Sequence, residues 1–328
     1  MAKKVRRSKR SARVDSGVSA AIKSGQAMAE EVIAFRAART RKRSAAVKRM
    51  AQAPKRRRAP VAPEIPSRTR ALLGSPTTTG VLIAEGDSWF DYPFHDVLQM
   101  LEDDYLYDVE SVAHKGDTVE DMAHSGGQFE EFARRLEKLL RANKVPKAIL
   151  LSGGGNDIAG DEFAILLNHA ASPLPVINDD IVRGVIDVRL RAAYARIISG
   201  LTSISQNYLD RPIPIVTHGY DYALPDGRGF WGGWGPLPGP WLEPGFQKKG
   251  HLDFGKNSAV VVKLIDRFNT MLKDVSATTG FEHVHYLNLR NTLKHGSNYE
   301  DDWANELHPT EDGFALVSKK FADLVAKL

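Results

Sequence analysis

The stretch Gly80-Val81-Leu82-Ile83-Ala84-Glu85-Gly86-Asp87-Ser88-Trp89 decides how the chain is read. Val81 to Ala84 form a short apolar run of the length and character of a buried strand. Gly86 breaks it and leaves Asp87 and Ser88 at the strand's carboxyl exit. Outward from this point the pattern repeats. Strands are expected at 80–85, 106–112, 147–152, 212–217 and 283–289, with helical patterns near 95–103, 117–143, 179–207, 257–276 and 312–327. Ala148-Ile149-Leu150-Leu151 is apolar at every position, as a strand covered on both faces must be. Such alternation predicts an α/β fold with a parallel sheet between helices, and places chemistry beyond the carboxyl ends of the strands.

The rest of the composition divides the chain. Of 328 residues, 42% are hydrophobic, enough for a sizeable core. The net charge of +5 conceals an asymmetry: residues 1–70 hold 21 Lys/Arg against 4 Asp/Glu, leaving 24 bases against 36 acids in the remainder. Residues 1–53 read as a basic arm, disordered or partly helical, with a helix-compatible pattern from Val18 to Arg39. Pro54, Pro60, Pro63 and Pro66 make 54–78 an extended linker, and 79–328 the folded domain. The charge of residues 1–58 predicts salt-sensitive, non-specific attraction to nucleic acid or anionic membrane. Cysteine is absent, which excludes disulfides and thiolate chemistry. No stretch approaches the ~18–20 apolar residues of a spanning helix, and no apolar h-region follows the basic start. A soluble, cytoplasmic protein is expected.

Three further pieces follow the serine in order. Ala113-His114-Lys115-Gly116-Asp117 lies after the second strand, Ser152-Gly153-Gly154-Gly155-Asn156-Asp157 after the third, and Leu307-His308-Pro309 just ahead of the last helix. A serine hydroxyl needs a base to take its proton, and an attacked carbonyl needs prearranged donors for its oxyanion. Ser88 can supply the hydroxyl and His308 the base. Asn156 offers an amide with glycine-made room around it, and Gly116 a backbone N–H. Asp87 and Asp157 suit bracing of their turns by backbone hydrogen bonds.

This set resembles the SGNH (GDSL-type) hydrolase family of esterases and lipases, from about residue 80 to the C-terminus. The resemblance implies a flavodoxin-like three-layer α/β/α sandwich and a serine esterase acting on acyl esters, whether of lipids, acetylated sugars or thioesters, without cofactor. It assigns Ser88 as nucleophile, His308 as base, and Ser88, Gly116 and Asn156 to the oxyanion. The family usually carries an aspartate three residues before the histidine. That position here is Asn305, so the acid is sought nearby: Asp302 is favoured over Asp301, Glu306 or a Ser–His dyad.

Two features add to the site. The loop 226–250 carries Phe230, Trp231, Trp234, Trp241 and Phe246 among many Gly and Pro, and reads as irregular and functional; Trp231 and Trp234 are expected to bind substrate. His218, at a strand's carboxyl end, is assigned to the pocket wall, against the alternative of a structural role. His283 and His285 share one strand face but lack a third partner, so no metal is expected. The competing reading of the whole is a nucleic-acid-binding protein with a degenerate, non-catalytic hydrolase-like domain, motivated by the basic arm and Asn305.

Overall fold

The computed structural model describes residues 16–35, 37–38, 41, 78–124, 127–230 and 237–328. Within these, strands β1 (Gly80–Glu85), β2 (Tyr107–Ser111), β3 (Ala148–Leu151), β4 (Ile215–His218) and β5 (Val284–Leu287) form one sheet in the order β2-β1-β3-β4-β5. Every neighbouring pair is parallel. This order, 2-1-3-4-5, is that of the flavodoxin-like sheet, whose direction of winding reverses between β1 and β3. The register sets Glu85 beside Leu151 and Leu151 beside Thr217, so the carboxyl ends of β1, β3 and β4 finish level at one edge.

The apolar runs are continuous because both sheet faces are covered: Leu82 to Ala84, Ala148 to Leu151, Ile215 and Val216 are all buried. Helix α2 (Val97–Asp103) packs against α8 (Glu311–Val325). In the other layer pack α3 (Val119–His124), α4 (Gln128–Arg141), α5 (Arg191–Leu209) and α7 (Phe254–Ser276). α4 shows the reason for its helical form in its buried set, Phe129, Phe132, Ala133, Leu136, Leu139 and Leu140, one stripe at helical spacing. At the start of α8, the Thr310 hydroxyl accepts from Gly313 N at 3.2 Å, a cap that fixes where helix begins and holds His308 just outside it. No helix among the described residues is long and apolar enough to cross a membrane.

Some expectations are revised. The helical pattern at 117–143 is two helices, α3 and α4. The loop 226–250 contains a helix, α6 (Glu243–Lys248), and Phe246 is fully buried against Phe163, with ring centroids 5.0 Å apart. Trp231 and Trp234 lie outside the described residues, as do the linker prolines and the basic runs at 1–15 and 42–58.

The arm is not wholly independent of the sheet domain. Residues 16–35 form a helix, α1, with Ala29 fully buried. Ser199 Oγ donates to Ile22 O at 2.9 Å, and Arg196 Nη1 to Ser24 Oγ at 2.8 Å. Two glycines make the approach to α5 possible: a Cβ on Gly25 would lie 2.1 Å from Arg196 O, and one on Gly200 3.1 Å from Gly25 O. Gly25→Val should therefore lower stability by about 1–3 kcal/mol in thermal or denaturant unfolding. Gly17→Val, at a position with no neighbour within 4 Å, is the control that should show no loss.

Candidate active site

The turn after β1 is built around a buried carboxylate. Gly86 is obligatory there, since a Cβ would sit 2.7 Å from Ser152 Cβ and 2.9 Å from Phe90 Cδ2. Asp87 accepts from Trp89 N at 3.1 Å, from Ser152 Oγ at 2.8 Å and from the Tyr220 hydroxyl. Tyr220 in turn accepts from Gly155 N at 3.2 Å. Burial pushes the Asp87 carboxyl above the usual range, and these donors pull it back. The exits of β1, β3 and β4 are thereby tied to one another, and Ser88 is left facing outward.

Ser88 Oγ lies 2.7 Å from His308 Nε2, although 220 residues separate them. His308 Nδ1 lies 2.9 Å from Asn305 Oδ1, which also accepts from His308 N at 2.9 Å and Leu307 N at 3.0 Å. Asn305 Nδ2 donates to the Tyr92 hydroxyl at 3.0 Å. Two backbone donors thus fix the amide with its oxygen toward the ring. Nδ1 must then carry the imidazole proton, and Nε2 is left free to accept from Ser88. The Tyr92 ring stacks on the imidazole with centroids 4.3 Å apart, and Trp241 meets it edge-on at 5.3 Å. Burial lowers the His308 pKa to about 3.

The acid favoured from the sequence is not at the histidine. Asp302 Oδ2 accepts from Lys294 N at 2.9 Å, and its other oxygen faces Lys294 Nζ at 3.7 Å. Asp301 pairs with the same ammonium at 2.9 Å. The backbone turn after Asn305 brings residue 305, not 302, under the ring. Glu306 also points elsewhere. Wholly buried, it accepts from the backbone N–H groups of Gly227, Trp241, Leu242 and Glu243 at 2.5–3.0 Å, and so fastens the aromatic loop to the histidine loop.

Gly116 and Asn156 lie at the same edge as Ser88 and His308. Asn156 Nδ2 donates to Asp117 O at 2.9 Å, and Asp157 accepts from Val119 N at 2.9 Å and Glu120 N at 3.3 Å, which secures the Gly116 loop to the end of β3. Gly116 has φ +93°, left-handed backbone that favours glycine. Ser88, Gly116, Asn156 and His308 line one cleft of about 400 Å³. Among the described residues, neither the Ser88 N–H nor the Gly116 N–H has a hydrogen-bond partner. His218 is the exception. It is fully buried among Trp89, Phe90 and Phe321, with ring centroids 5.2–5.7 Å away, and burial lowers its pKa to about 4. The assignment to the pocket wall gives way to the structural alternative. Tyr92 and Tyr220 were missed in the sequence. The aromatic run Trp89-Phe90-Asp91-Tyr92 directly after Ser88 was the available signal for the first; nothing local marks the second.

No family model matches the chain, and no curated protein matches it. The chain resembles several solved structures. A candidate GDSL-like lipase from Parabacteroides merdae has 14% identity and a TM-score of 0.42, over 76% of this chain and 96% of that one. The psychrotrophic esterase from a Pseudoalteromonas species has 15% identity and a TM-score of 0.37, over 76% and 97%. A carbohydrate acetylesterase from Sinorhizobium meliloti has 12% identity and a TM-score of 0.40, over 76% and 99%. The flavodoxin-like α/β/α sandwich of this chain is established by its own strand order.

Both buried histidines should be neutral through most of the acid range. With folded pKa values below the unfolded value of about 6.5, they contribute stability that is complete above pH 6.5 and lost as pH falls toward 3 to 4. An NMR titration of His308 should show no protonation above about pH 4. Asn305→Asp should raise its pKa by placing a carboxylate against Nδ1; an unchanged titration would contradict the assigned contact.

Proposed function

We propose that the chain is a serine hydrolase of carboxylic acyl esters, working through an acyl-enzyme on Ser88 in the manner of the SGNH (GDSL-type) family. The observation that carries this is the 2.7 Å contact between Ser88 Oγ and His308 Nε2, with Nδ1 held on Asn305 Oδ1. Ser88 Oγ attacks the ester carbonyl carbon, and its proton passes to Nε2. The oxyanion forms beside the unpaired N–H groups of Ser88 and Gly116 and the Asn156 amide. The carbon–oxygen bond to the alcohol breaks as Nε2 returns the proton to the leaving oxygen. Water then repeats the sequence in reverse, giving its proton to Nε2 and releasing the carboxylic acid and free Ser88.

Asn305 decides how good this base is. In a serine protease, the handicap of asparagine at the acid position is the wrong imidazole tautomer, at ~10⁴ in kcat. Here Leu307 N and His308 N turn the amide oxygen toward the ring, so the tautomer is the productive one. Only the carboxylate's charge is missing, and with it part of the stabilisation of the imidazolium formed in the transition state. The site is a Ser–His–Asn arrangement with a weak base that stays neutral at low pH.

Three measurements test this. A fluorophosphonate should label wild-type protein at Ser88 and leave Ser88→Ala unlabelled; no labelling of the wild type would favour a non-catalytic scaffold. With an activated ester such as a p-nitrophenyl ester, Ser88→Ala and His308→Ala should each lower kcat by about 10³ or more, and Asn156→Ala by about 10²–10³. Asn305→Asp should raise kcat at neutral pH and move the acid limb of the pH–rate profile upward, since the base then protonates at higher pH. Asp302→Asn should leave the rate nearly unchanged, in keeping with its place on Lys294.

A further inference from the structure

A second space opens behind the Ser88–His308 pair, a cavity of about 80 Å³. It differs from the outer cleft in chemistry. Ala159, Phe163, Ala223, Leu264, Phe268 and Trp303 give it an almost wholly apolar wall. The polar side chains that border it are already occupied. Asp87 holds its three donors, and Tyr220 sits between Asp87 and Gly155 N. Asp221 accepts from the backbone N–H groups of Tyr222, Asn291, Thr292 and Leu293 at 2.7–2.8 Å. A hydroxyl or charge placed there would lose its water and find no partner. The outer cleft, by contrast, is more open and is bordered by Lys115 as well as Tyr92, Phe230 and Trp241.

The two spaces share Ser88, Asn156, Leu307 and His308. They therefore meet at the reacting atoms, and an ester carbonyl held there must send one arm into each. The order of events decides which arm goes where. When Ser88 Oγ has bonded to the carbonyl carbon and the alcohol oxygen has taken its proton from Nε2, the alcohol must depart while the acyl group stays attached. An alcohol in the inner cavity would be trapped behind the acyl-serine; one in the outer cleft leaves freely, and water enters by the same route. We infer that the inner cavity is an acyl chamber, and that the substrate is an ester of a straight-chain alkanoic acid longer than acetic acid, with its polar or bulky alcohol in the outer cleft. This rests on the serine-hydrolase reading and adds to it the class of the acyl group. Acetate would leave the chamber empty of carbon and forfeit the gain from covering its wall. Each methylene moved from water into the chamber should raise kcat/KM by roughly fourfold until the space is filled.

The test uses the full chain with p-nitrophenyl esters from acetate to dodecanoate, alongside fluorophosphonate labelling of Ser88. The expected result is a kcat/KM that rises from acetate to a maximum at a longer chain and then falls. Leu264→Phe, which narrows the chamber, should lower the ratio of octanoate to acetate kcat/KM by about tenfold or more. Ala223→Leu is the second filling variant, with the same expected drop, should the first fold poorly. Labelling of Ser88 together with a preference for acetate, or a chain-length ratio indifferent to both variants, would overturn the acyl chamber alone. A parallel series of acetate esters of ethanol to octanol checks the direction: if the filling variants selectively depress octyl acetate, the chamber holds the alcohol and the inference fails. Absence of both labelling and hydrolysis would overturn the serine-hydrolase reading and the chamber with it.

Discussion

The site depends on the buried carboxylate of Asp87. A carboxyl taken out of water is unfavourable unless donors surround it, and here the donors come from three places: Trp89 N on its own turn, Ser152 after β3 and Tyr220 after β4. Satisfying one side chain thus fixes the relative position of three strand exits at the reversal point of the sheet. Tyr220 carries the constraint further, to Gly155 N beside Asn156. The Ser88 turn and the Asn156 loop are consequently parts of one hydrogen-bonded unit.

Glu306 does for the outer wall what Asp87 does for the inner one. Burial pushes its carboxyl above the usual range, and four backbone N–H groups from both ends of the aromatic loop oppose that push. The loop's Trp241 is thereby set edge-on to His308. Trp89 Nε1 donates to Leu307 O at 3.0 Å and joins the histidine loop to the Ser88 turn directly. The negative groups near the site are spent on architecture, while the imidazole faces a neutral amide. This division explains how a cluster rich in carboxylates can leave the His308 imidazole with a depressed pKa: burial acts on the ring, and no charge stands against Nδ1 to offset it.

Much of this was legible in the chain because it rests on local rules. Four-residue apolar runs and helical stripes such as that of α4 are properties of a segment and its immediate geometry. Strand β1 and its Gly-Asp-Ser exit, the glycine-rich approach to Asn156, and His308 held outside the last helix were all readable for that reason. The bracing roles of Asp87 and Asp157 were readable too, since a short acidic side chain at a turn has backbone N–H groups within reach.

What the sequence by itself determined is therefore the five strands, their parallel alternation with helices, and the placing of Ser88 and Asn156 just beyond strand ends and of His308 just ahead of the last helix. Only the tertiary structure decided which neighbour serves the histidine. Asp302, Asn305 and Glu306 all lie within six residues of His308, and the direction of one backbone turn separates a brace on Lys294, a partner for Nδ1 and a loop anchor. Likewise, whether His218 faces cleft or core depends on the pleat of β4, where adjacent side chains point to opposite faces. The seating of α1 on α5 depends on two glycines 175 residues apart finding one another. These outcomes turn on side-chain direction and on contacts between distant segments, which no local pattern encodes.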